Sequence, residues 1–466
     1  MVTHAAVGEP PRLDRTLGWV QATTTNVLVM IGVGPFLTIP FMLAAMGGPH
    51  IVYAWVAGGV LALCDGLVYA QFGAALPASG GPYVYLREAY EPFGIGRLMG
   101  FLFIFQVLLV APLSIASGAV GFANYLTVFW AMRPAVHHSI AAVVVAGMTA
   151  LLYRPTPAVG RLSVMMLAGV VVTVGWVIGA GLLHFSAAQA FAFPRSAFVL
   201  DRALVSRIGA VSLLAMYNYG GYNNVSNIAE EIRDPRRTVP RAIVVSIVLV
   251  AAVYIAMSTV IIGVIPWTEA QSSDAIASSF IARTFADPAA GRVASRVMTG
   301  LVLFVTVTSI YGLILGYSRV PFAAARDGQF FRVFARVHRT KRFPHVSLLT
   351  IGAISVPFCF LSLGDIIDWL VLVQIVTQLV WQCAGIMLLK RYRHDIPQPF
   401  VMWAYPVPAV AALALWIYVF VSAPLRGMLF AGGVSIAGVM AYAAFSRRHP
   451  AESPVASTWF RYSDPD

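Results

Sequence analysis

The sequence predicts an all-helical integral membrane protein with twelve transmembrane helices. Hydrophobic residues make up 59% of the 466 residues and charged residues only 11%, far below the quarter that is usual in soluble proteins. The mean hydropathy of +0.79 agrees with this composition. Long uncharged runs recur along the chain, and a run of about 20 apolar residues crosses the hydrocarbon core as a helix. Most of the protein surface is therefore expected to face lipid.

The spanning helices follow from marking apolar runs of that length along the chain. Backbone hydrogen bonding in lipid requires each run to be helical. The twelve segments cover approximately residues 22–46, 50–74, 95–127, 137–153, 160–184, 206–230, 240–265, 295–322, 346–363, 366–389, 401–421 and 425–445.

The 31 Lys and Arg residues orient these helices. With a cytoplasmic N-terminus, 23 of the 31 fall in cytoplasmic tails and loops. Both termini are therefore expected in the cytoplasm, and the protein in the cytoplasmic (inner) membrane. A nucleic-acid binder needs its basic residues on one folded face, whereas here they lie between long apolar runs. The net charge of +12 thus indicates topology, and no nucleic-acid partner is expected.

The reactive residue types show no pattern typical of an enzyme. Cys64, Cys359 and Cys383 lie in apolar runs without pairing or metal-ligand spacing. The sequence contains no P-loop, no dinucleotide fingerprint and no metal-spaced cluster. We expect no catalytic residues, no metal, no cofactor and no nucleotide-driven pump in this chain.

Segment one is interrupted near its middle. It reads VLVMIGVGPFLTIPF, with Gly32, Gly34 and Pro35 at the centre. Glycine lets the chain leave the helix, and Pro35 can start a second half-helix because its missing N–H is not needed there. The product is a helix N-terminus at mid-membrane, which attracts an anion such as a carboxylate. Close helix packing is the alternative explanation for the glycines.

Segment six has a corresponding interruption. It reads LLAMYNYGGYNNVSNIAEEIRDPRRTVPRAI, and Gly220 and Gly221 stand among tyrosines and asparagines. Segments one and six are corresponding members of two groups of five helices. Paired interruptions in corresponding helices indicate a transporter site where the two groups meet. The sequence therefore predicts that the two breaks face each other halfway through the bilayer.

Four stretches together resemble the amino acid, polyamine and organocation (APC) family of secondary transporters, most closely its L-type branch. The stretches are IGVGPFLTIP in the first helix, GLVYAQFGAALPASGGPYVYL after the second, YGGYNNVSNIAEEIRDPRRTVPRAI in the sixth and YSRVPFAAARDGQFFRVFARVH after the eighth. The resemblance implies the APC (LeuT-like) fold, an inverted repeat of five plus five helices with discontinuous helices 1 and 6. Its parts here would be a cytoplasmic tail (1–17), the two repeats (18–200 and 201–390), two extra helices (391–446) and a second cytoplasmic tail (447–466).

The resemblance also implies where a substrate binds. An α-carboxylate would meet amides around Gly32, and an α-amine would meet carbonyls near Gly220, a division that helix dipoles support. Tyr217 matches the family's gating aromatic, although a tyrosine anchor at a membrane interface is the alternative reading. Asn223 and Asn224 would line the side-chain pocket. The implied substrate-binding residues are Ile31, Gly32, Val33, Gly34, Tyr217, Tyr219, Gly220, Gly221, Asn223 and Asn224.

The candidates for ion coupling lie on helices two, five and eight. Asp65 is an acidic residue deep within a predicted span, where a carboxylate must be paired, protonated or facing a cavity. It is open to cation binding, proton coupling or a structural role. Helix five contains the stretch TVGW, ending in Trp176, where several members of the family have TxGK, so their lysine mechanism is not expected here. Thr306, Thr308 and Ser309 are open to ligating sodium or to bonding between helices.

Charges of both signs crowd the predicted cytoplasmic ends of helices six and eight. Glu230, Glu231, Arg319 and Asp327 predict a salt-bridged gate that breaks when the site opens inward. A solvated run of charges that sets topology is the alternative.

The long external connection, 266–293, carries apolar residues at helical spacing. They are Ala275, Ile276, Phe280, Ile281 and Phe285. This spacing predicts a short amphipathic helix over the external mouth of the protein.

The sequence predicts a permease that moves a small amino acid by alternating access, through proton symport or exchange. A polyamine or other organic cation is the alternative cargo, which Asp65 favours. A membrane sensor that binds ligand without moving it is the alternative from another class. The expected partners are the substrate and membrane lipid. The amino acid moved, the coupling ion and the oligomeric state are not determined by the sequence.

Overall fold

The computed structural model describes residues 17–77, 81–153, 159–195, 197, 199–227, 229, 232–338 and 343–448. Secondary structure in these ranges is helical, apart from one parallel bridge between Leu17 and Ile232. Seven of the helices are long and apolar enough to cross a membrane, and a bent pair adds an eighth candidate. The protein is therefore a multi-pass membrane protein. The number of twelve helices and the inverted repeat remain predictions.

The first five predicted segments lie on the helices of the N-terminal part. Segment one is two helices, and the short α4 lies in the connection after segment two. The helices are α1 (Trp19–Met30), α2 (Gly34–Met46), α3 (Val52–Ala75), α4 (Pro82–Tyr90), α5 (Gly96–Leu126), α6 (Pro134–Leu152), α7 (Val159–Leu183) and α8 (Ala187–Ala190).

The C-terminal part contains the remaining helices. They are α9 (Arg202–Tyr219), α10 (Asn224–Asn227), α11 (Pro235–Val264), α12 (Trp267–Ala270), α13 (Ile276–Arg283), α14 (Pro288–Tyr317), α15 (Arg319–Arg326), α16 (His345–Phe358), α17 (Leu363–Gln374), α18 (Val380–Tyr392), α19 (Val407–Val421) and α20 (Leu425–Arg448).

Two segments differ from the uninterrupted α-helices that hydropathy predicts. Segment six is predicted to continue to residue 230, but α9 ends at Tyr219 and only the single turn α10 follows among the described residues. Between α17 and α18 the chain winds as a π-helix, Ile375–Leu379, within one continuous span. A π-turn turns side chains to new directions without ending the helix, and such turns are frequent at functional sites.

The core beside the two interrupted helices is aromatic. Trp55 of α3, Tyr219 of α9 and Tyr254 of α11 are all fully buried. The ring centroids of Trp55 lie 4.9 Å from those of Tyr254 and 6.1 Å from those of Tyr219. These large rings fix the end of α9 against α3 and α11, and they thereby position the second break.

The connection between α11 and α14 contains the predicted amphipathic helix. It is α13, and its Ile276, Phe280 and Ile281 are fully buried while Phe285, beyond its end, is 41% exposed. The spacing was thus correct for four of the five positions, which are buried, Ala275 among them, and was wrong for Phe285.

Ion pairs join α4 to the segment that follows α18. Glu88 is buried and contacts Arg87 at 2.8 Å and Arg393 at 2.9 Å. Arg393 also contacts Asp395 at 2.8 Å and, by hydrogen bonding to it, lowers the pKa of that carboxyl. A shared carboxylate therefore holds two guanidinium groups and two parts of the chain together.

We predict that Glu88→Gln destabilises the protein by about 1–3 kcal/mol, because two partly buried guanidinium groups lose their shared anion. Asp234→Asn is the matched control, since the Asp234–Arg237 pair is 3.8 Å long and its side chains are 57% and 80% exposed. The apparent melting temperature of purified protein in detergent measures both changes. Equal melting temperatures for the two variants would contradict the prediction.

Candidate functional site

The first break separates α1 from α2 by a bend of 51°. The N–H of Ile31 still bonds to Val27 O at 2.8 Å, but Gly32 turns back onto Met30 O at 3.1 Å and the helix ends. The new helix starts at Gly34 with Pro35 in its first turn. The first-turn N–H groups of α2 have no acceptor within their own helix. The interruption of this span therefore presents a helix N-terminus whose first N–H groups have no acceptor within α2.

The second break lies between α9 and α10. The N–H of Gly220 closes α9 on Met216 O at 3.0 Å, and Gly221 then adopts a φ of +112°. Only glycine adopts such a φ without strain. The carbonyls of the last turn of α9 have no donor within their own helix. This break therefore presents a helix C-terminus, opposite in polarity to the N-terminus of α2.

The two breaks are in direct contact. A Cβ placed on Gly221 would lie 2.5 Å from Val29 Cγ1, and one on Gly34 would lie 2.5 Å from Asn218 Oδ1. Real side-chain atoms do not approach so closely. The two interruptions thus meet because each carries a glycine where a residue of the other broken helix approaches, Asn218 at Gly34 and Val29 at Gly221.

Asn26 of α1 binds the second break with both ends of its side-chain amide. Its Nδ2 donates to Tyr222 O at 2.6 Å, and its Oδ1 accepts from the N–H of Val225 at 2.8 Å. A longer bond of 3.3 Å runs from Nδ2 to Ser246 Oγ on α11. Asn26 has no exposed surface. One buried side chain therefore satisfies two backbone groups that the break would otherwise leave unpaired.

Tyr254 of α11 joins the helix ends that precede the two breaks. Its hydroxyl donates to Met30 O, the last residue of α1, at 2.6 Å and lies 3.1 Å from Asn218 O in the last turn of α9. Both carbonyls are at C-terminal helix ends, where acceptors are left over. The hydroxyl thus reduces the number of free carbonyls at the two breaks.

Asn218 places a polar side chain beside the first break. Its Nδ2 donates to Leu214 O at 2.7 Å and Thr38 Oγ1 at 2.8 Å, which fixes the orientation of the amide. Its Oδ1, beside Gly34, is buried without a hydrogen-bond partner among the residues that the structure describes. A buried acceptor in that condition is one that a donor group of a ligand can satisfy.

The side chains of the predicted site residues are mostly bonded to neighbouring helices or partly buried. The side chains of Tyr217 and Tyr219 bond to the surrounding helices, Tyr217 to Ser117 Oγ at 2.9 Å and Tyr219 to Trp55 O at 3.0 Å. Asn223 and Asn224 are half-buried in and just after the turn. Ile31 and Val33 are buried at the first break, and Gly220 is exposed. The breaks therefore offer mainly backbone groups.

A narrow crevice lies beside Gly32 and Val33, and it is too tight for a water molecule. Its other walls are side chains of α2, α7 and α14: Phe36, Val170, Thr173, Val174, Val302 and Val305. The hydroxyl of Thr173 bonds within α7 to Gly169 O. The crevice is thus apolar and closed in this conformation.

The coupling candidates on α7 and α14 lie near this crevice. Trp176 is half-buried against the core. The hydroxyls of Thr306, Thr308 and Ser309 donate to carbonyls of their own helix. A Cβ on Gly32 would lie 3.6 Å from Ser309 Oγ, so Ser309 approaches the first break most directly.

Asp65 of α3 lies behind the second break and is fully buried. It accepts hydrogen bonds from Tyr222 Oη at 2.5 Å and from Trp416 Nε1 at 3.0 Å. Among the predicted coupling candidates it is the one whose side chain bonds to the second break.

The residues of the predicted gate are only partly described. Arg319 and Asp327 are exposed at the two ends of α15. Glu230 and Glu231 lie outside the described residues. The gate therefore stays a prediction.

Sequence reasoning missed Asn26, Asn218 and Tyr254. A signal existed for the two asparagines, because a carboxamide within a predicted span needs partners in lipid. Tyr254 carried no comparable signal, since tyrosine is common in spans and its hydroxyl direction depends on the packing of α11.

We predict that Asn26→Leu lowers stability by about 2–5 kcal/mol, because Tyr222 O and the Val225 N–H both become unpaired in the interior. Ser246→Ala is the control, since it removes the 3.3 Å contact of Asn26 and the bond of Ser246 Oγ to Ile243 O but leaves both bonds between Asn26 and the second break. Thermal unfolding of the purified variants, followed by tryptophan fluorescence, compares them. An unchanged melting temperature for Asn26→Leu would refute the role assigned to its amide.

Comparisons with known proteins find transporters of similar sequence. The human Asc-type amino acid transporter 1 is 29% identical over 449 residues, which cover 91% of this chain and 81% of the relative. Two relatives from Bacillus subtilis (strain 168) each align with 96% of this chain and 96% of their own length: the methylthioribose transporter at 23% identity and the branched-chain amino acid permease BcaP at 24%.

The family model described as amino acid permease matches residues 17–453, nearly the whole chain. This match and the relatives confirm the predicted membership of the APC superfamily. The family and the relatives are transporters rather than enzymes. The chain, whose two helix breaks lie against each other, therefore belongs to the amino acid permease family.

Proposed function

We propose that this permease moves a small amino acid across the cytoplasmic membrane by alternating access. The observation that carries the proposal is the meeting of a helix N-terminus and a helix C-terminus at the two breaks. An α-amino acid is a zwitterion with one anionic and one cationic group on neighbouring atoms. Two helix ends of opposite polarity in contact provide complementary partners for both groups.

The carboxylate would bind at the first break. The free N–H groups at the start of α2, near Val33 and Gly34, offer donors that need no side chain. Gly34 allows close approach to its backbone. These contacts are common to all α-amino acids, so they select the class of substrate rather than one member of it.

The amine would bind at the second break. The terminal carbonyls of α9 around Tyr219 and Gly220 are acceptors, and Tyr254 bonds to one of their neighbours, Asn218 O. The Oδ1 of Asn218 adds an acceptor without a hydrogen-bond partner in the described part of the chain. An ammonium group donates three hydrogen bonds and matches such a set.

The apolar crevice favours a small neutral side chain. Its walls are valines, Phe36 and Thr173, none of which is charged, and it would have to widen to admit a substrate side chain. A charged side chain there would lose its hydration without a partner. Two relatives are named as an Asc-type amino acid transporter and a branched-chain amino acid permease, which agrees with such a substrate.

We place both termini in the cytoplasm on the strength of the charge distribution and propose coupling by proton symport or exchange. Trp176 stands where the family's lysine would be, and hydroxyls of α14 already donate within their helix. Arg319, Asp327, Glu230 and Glu231 would form the cytoplasmic gate. The division of the chain into the two repeats, 18–200 and 201–390, belongs to the same proposal.

An uncharged sugar derivative is the second candidate substrate. A relative that aligns over 96% of this chain is named as a methylthioribose transporter. The polyamine alternative has less support, because Asp65 is enclosed by donors from the protein and has no exposed surface. A ligand sensor without transport would bind the same ligands but move none.

We predict that small neutral L-amino acids raise the melting temperature of the purified protein and drive counterflow in proteoliposomes. Ligand at about 100 times its Kd adds about 2.7 kcal/mol to apparent stability. The panel includes L-alanine, L-leucine, methylthioribose and putrescine. A shift with methylthioribose or putrescine alone would refute the amino acid assignment, and a shift without counterflow would indicate a sensor.

We predict that Gly34→Ala abolishes this ligand-induced shift, because the new Cβ would lie 2.5 Å from Asn218 Oδ1 and separate the two breaks. Gly432→Ala in α20 is the matched control, since a Cβ there meets nothing within 4 Å. The melting temperature of each variant with and without ligand measures the effect. A full shift in Gly34→Ala would mean that the ligand binds elsewhere.

A further inference from the structure

A closed set of uncharged donors surrounds the carboxylate of Asp65. Tyr222 Oη donates to Oδ2 at 2.5 Å, Trp416 Nε1 donates to Oδ1 at 3.0 Å, and Cys383 Sγ lies 3.5 Å from Oδ1. These donors come from the second break, from α19 and from α18. One carboxylate on α3 therefore connects the break to two helices behind it.

The groups facing Asp65 include no cation among the described residues. The titratable ones are Tyr222 from the break, Cys383 from α18, and Cys64 and Tyr69 from α3 itself. Trp416 of α19 also contacts the carboxylate, and the neighbouring Gly66 packs beside Ile243 and Ile247 of α11. An ionised Asp65 would therefore be stabilised by hydrogen bonds alone, and proton uptake would remove a buried charge.

Uncharged polar groups continue behind Tyr69. Its hydroxyl accepts from Gln378 Nε2, and Gln378 Oε1 accepts from Gln106 Nε2 at 2.6 Å. The π-helix Ile375–Leu379 brings Gln378 to this position. The ring of Tyr69 packs edge-on against that of Tyr222 at 5.7 Å. These uncharged side chains thus support the ring of Tyr69, which contacts one face of Tyr222, while the backbone of Tyr222 belongs to the break.

We propose that Asp65 is the proton-binding residue of the transport cycle, and that a proton and the Tyr222 hydroxyl are alternative partners of its Oδ2. The inference rests on the proposed function. While Tyr222 donates, Oδ2 is ionised. When the break moves, the hydrogen bond is lost, a proton from water forms an O–H bond at Oδ2, and it returns to water when Tyr222 comes back.

Coupling then follows from the position of Tyr222. The same residue bonds to Asp65 through its hydroxyl and to Asn26 through its carbonyl, so it belongs to the break that would bind substrate. Any change in the break alters the proton affinity of Asp65, and by linkage proton uptake alters the break. Asp65 is thus a positioning residue. Its protonation depends on the conformation of the second break and in turn alters that conformation.

An infrared pH titration of the protein in lipid nanodiscs tests the proton site without a substrate. We expect a carboxylic acid band that titrates in the wild type and is missing in Asp65→Asn. Tyr222→Phe should keep this band to higher pH, because the ionised form has lost its shortest hydrogen bond. Identical titrations of wild type and Asp65→Asn would overturn the proposal.

Transport in proteoliposomes tests the coupling, with L-alanine as the probe. A gradient of one pH unit supports up to about tenfold accumulation when one proton accompanies each substrate. We expect Asp65→Asn to lose this accumulation and keep counterflow. Wild-type accumulation in Asp65→Asn, or no response of the wild type to the gradient, would overturn the proposal. Loss of wild-type counterflow would instead contradict the proposed function, and the infrared result would still stand.

Trp416→Phe separates proton coupling from a merely structural role. It removes one donor to Asp65 as Tyr222→Phe does, but it leaves the second break untouched. We expect gradient-driven accumulation to persist in Trp416→Phe and to fall in Tyr222→Phe, with melting temperatures lowered in both. Equal accumulation in the two variants would show that Tyr222 only packs the cluster and would refute its exchange with the proton.

Discussion

Backbone hydrogen bonding in the membrane interior is the constraint on which the rest of this structure depends. Interrupting two helices leaves N–H and C=O groups where no bulk water can bond to them. Asn26 pairs with two of these groups and Tyr254 bonds to two more. The donors at the start of α2 and the acceptors at the end of α9 would form the proposed dipolar site.

The helices behind the breaks keep that site in place. Trp55, Tyr219 and Tyr254 pack together at the end of α9, and the Asp65 cluster holds Tyr222 from the other side. The aromatic support consists of ring contacts, and the Asp65 cluster surrounds its carboxylate with uncharged donors instead of a cation. A hydrogen bond from an uncharged donor breaks and re-forms at lower cost than a buried ion pair, which fits the proposed movement of the second break.

Much of the fold was predictable because lipid imposes simple rules on sequence. Apolar runs located the helices, paired glycines located both breaks, and the spacing of Ile276, Phe280 and Ile281 located the buried face of α13. Family kinship also followed from local motifs. The partners of the breaks were not predictable, since Asn26 lies 196 residues from Tyr222 along the chain. The short α10 was not predictable either, because hydropathy does not distinguish a single helical turn from a longer helix.

The sequence by itself determined that this chain enters a membrane, where it interrupts its helices and to which family it belongs, since composition and glycine placement act locally. Only the tertiary structure decided which side chains complete the broken helices. It also decided that Asp65 is enclosed by Tyr222, Trp416 and Cys383 rather than open to a ligand. The physical reason is that hydrogen bonds are short and directional, so their partners depend on how distant helices pack against one another.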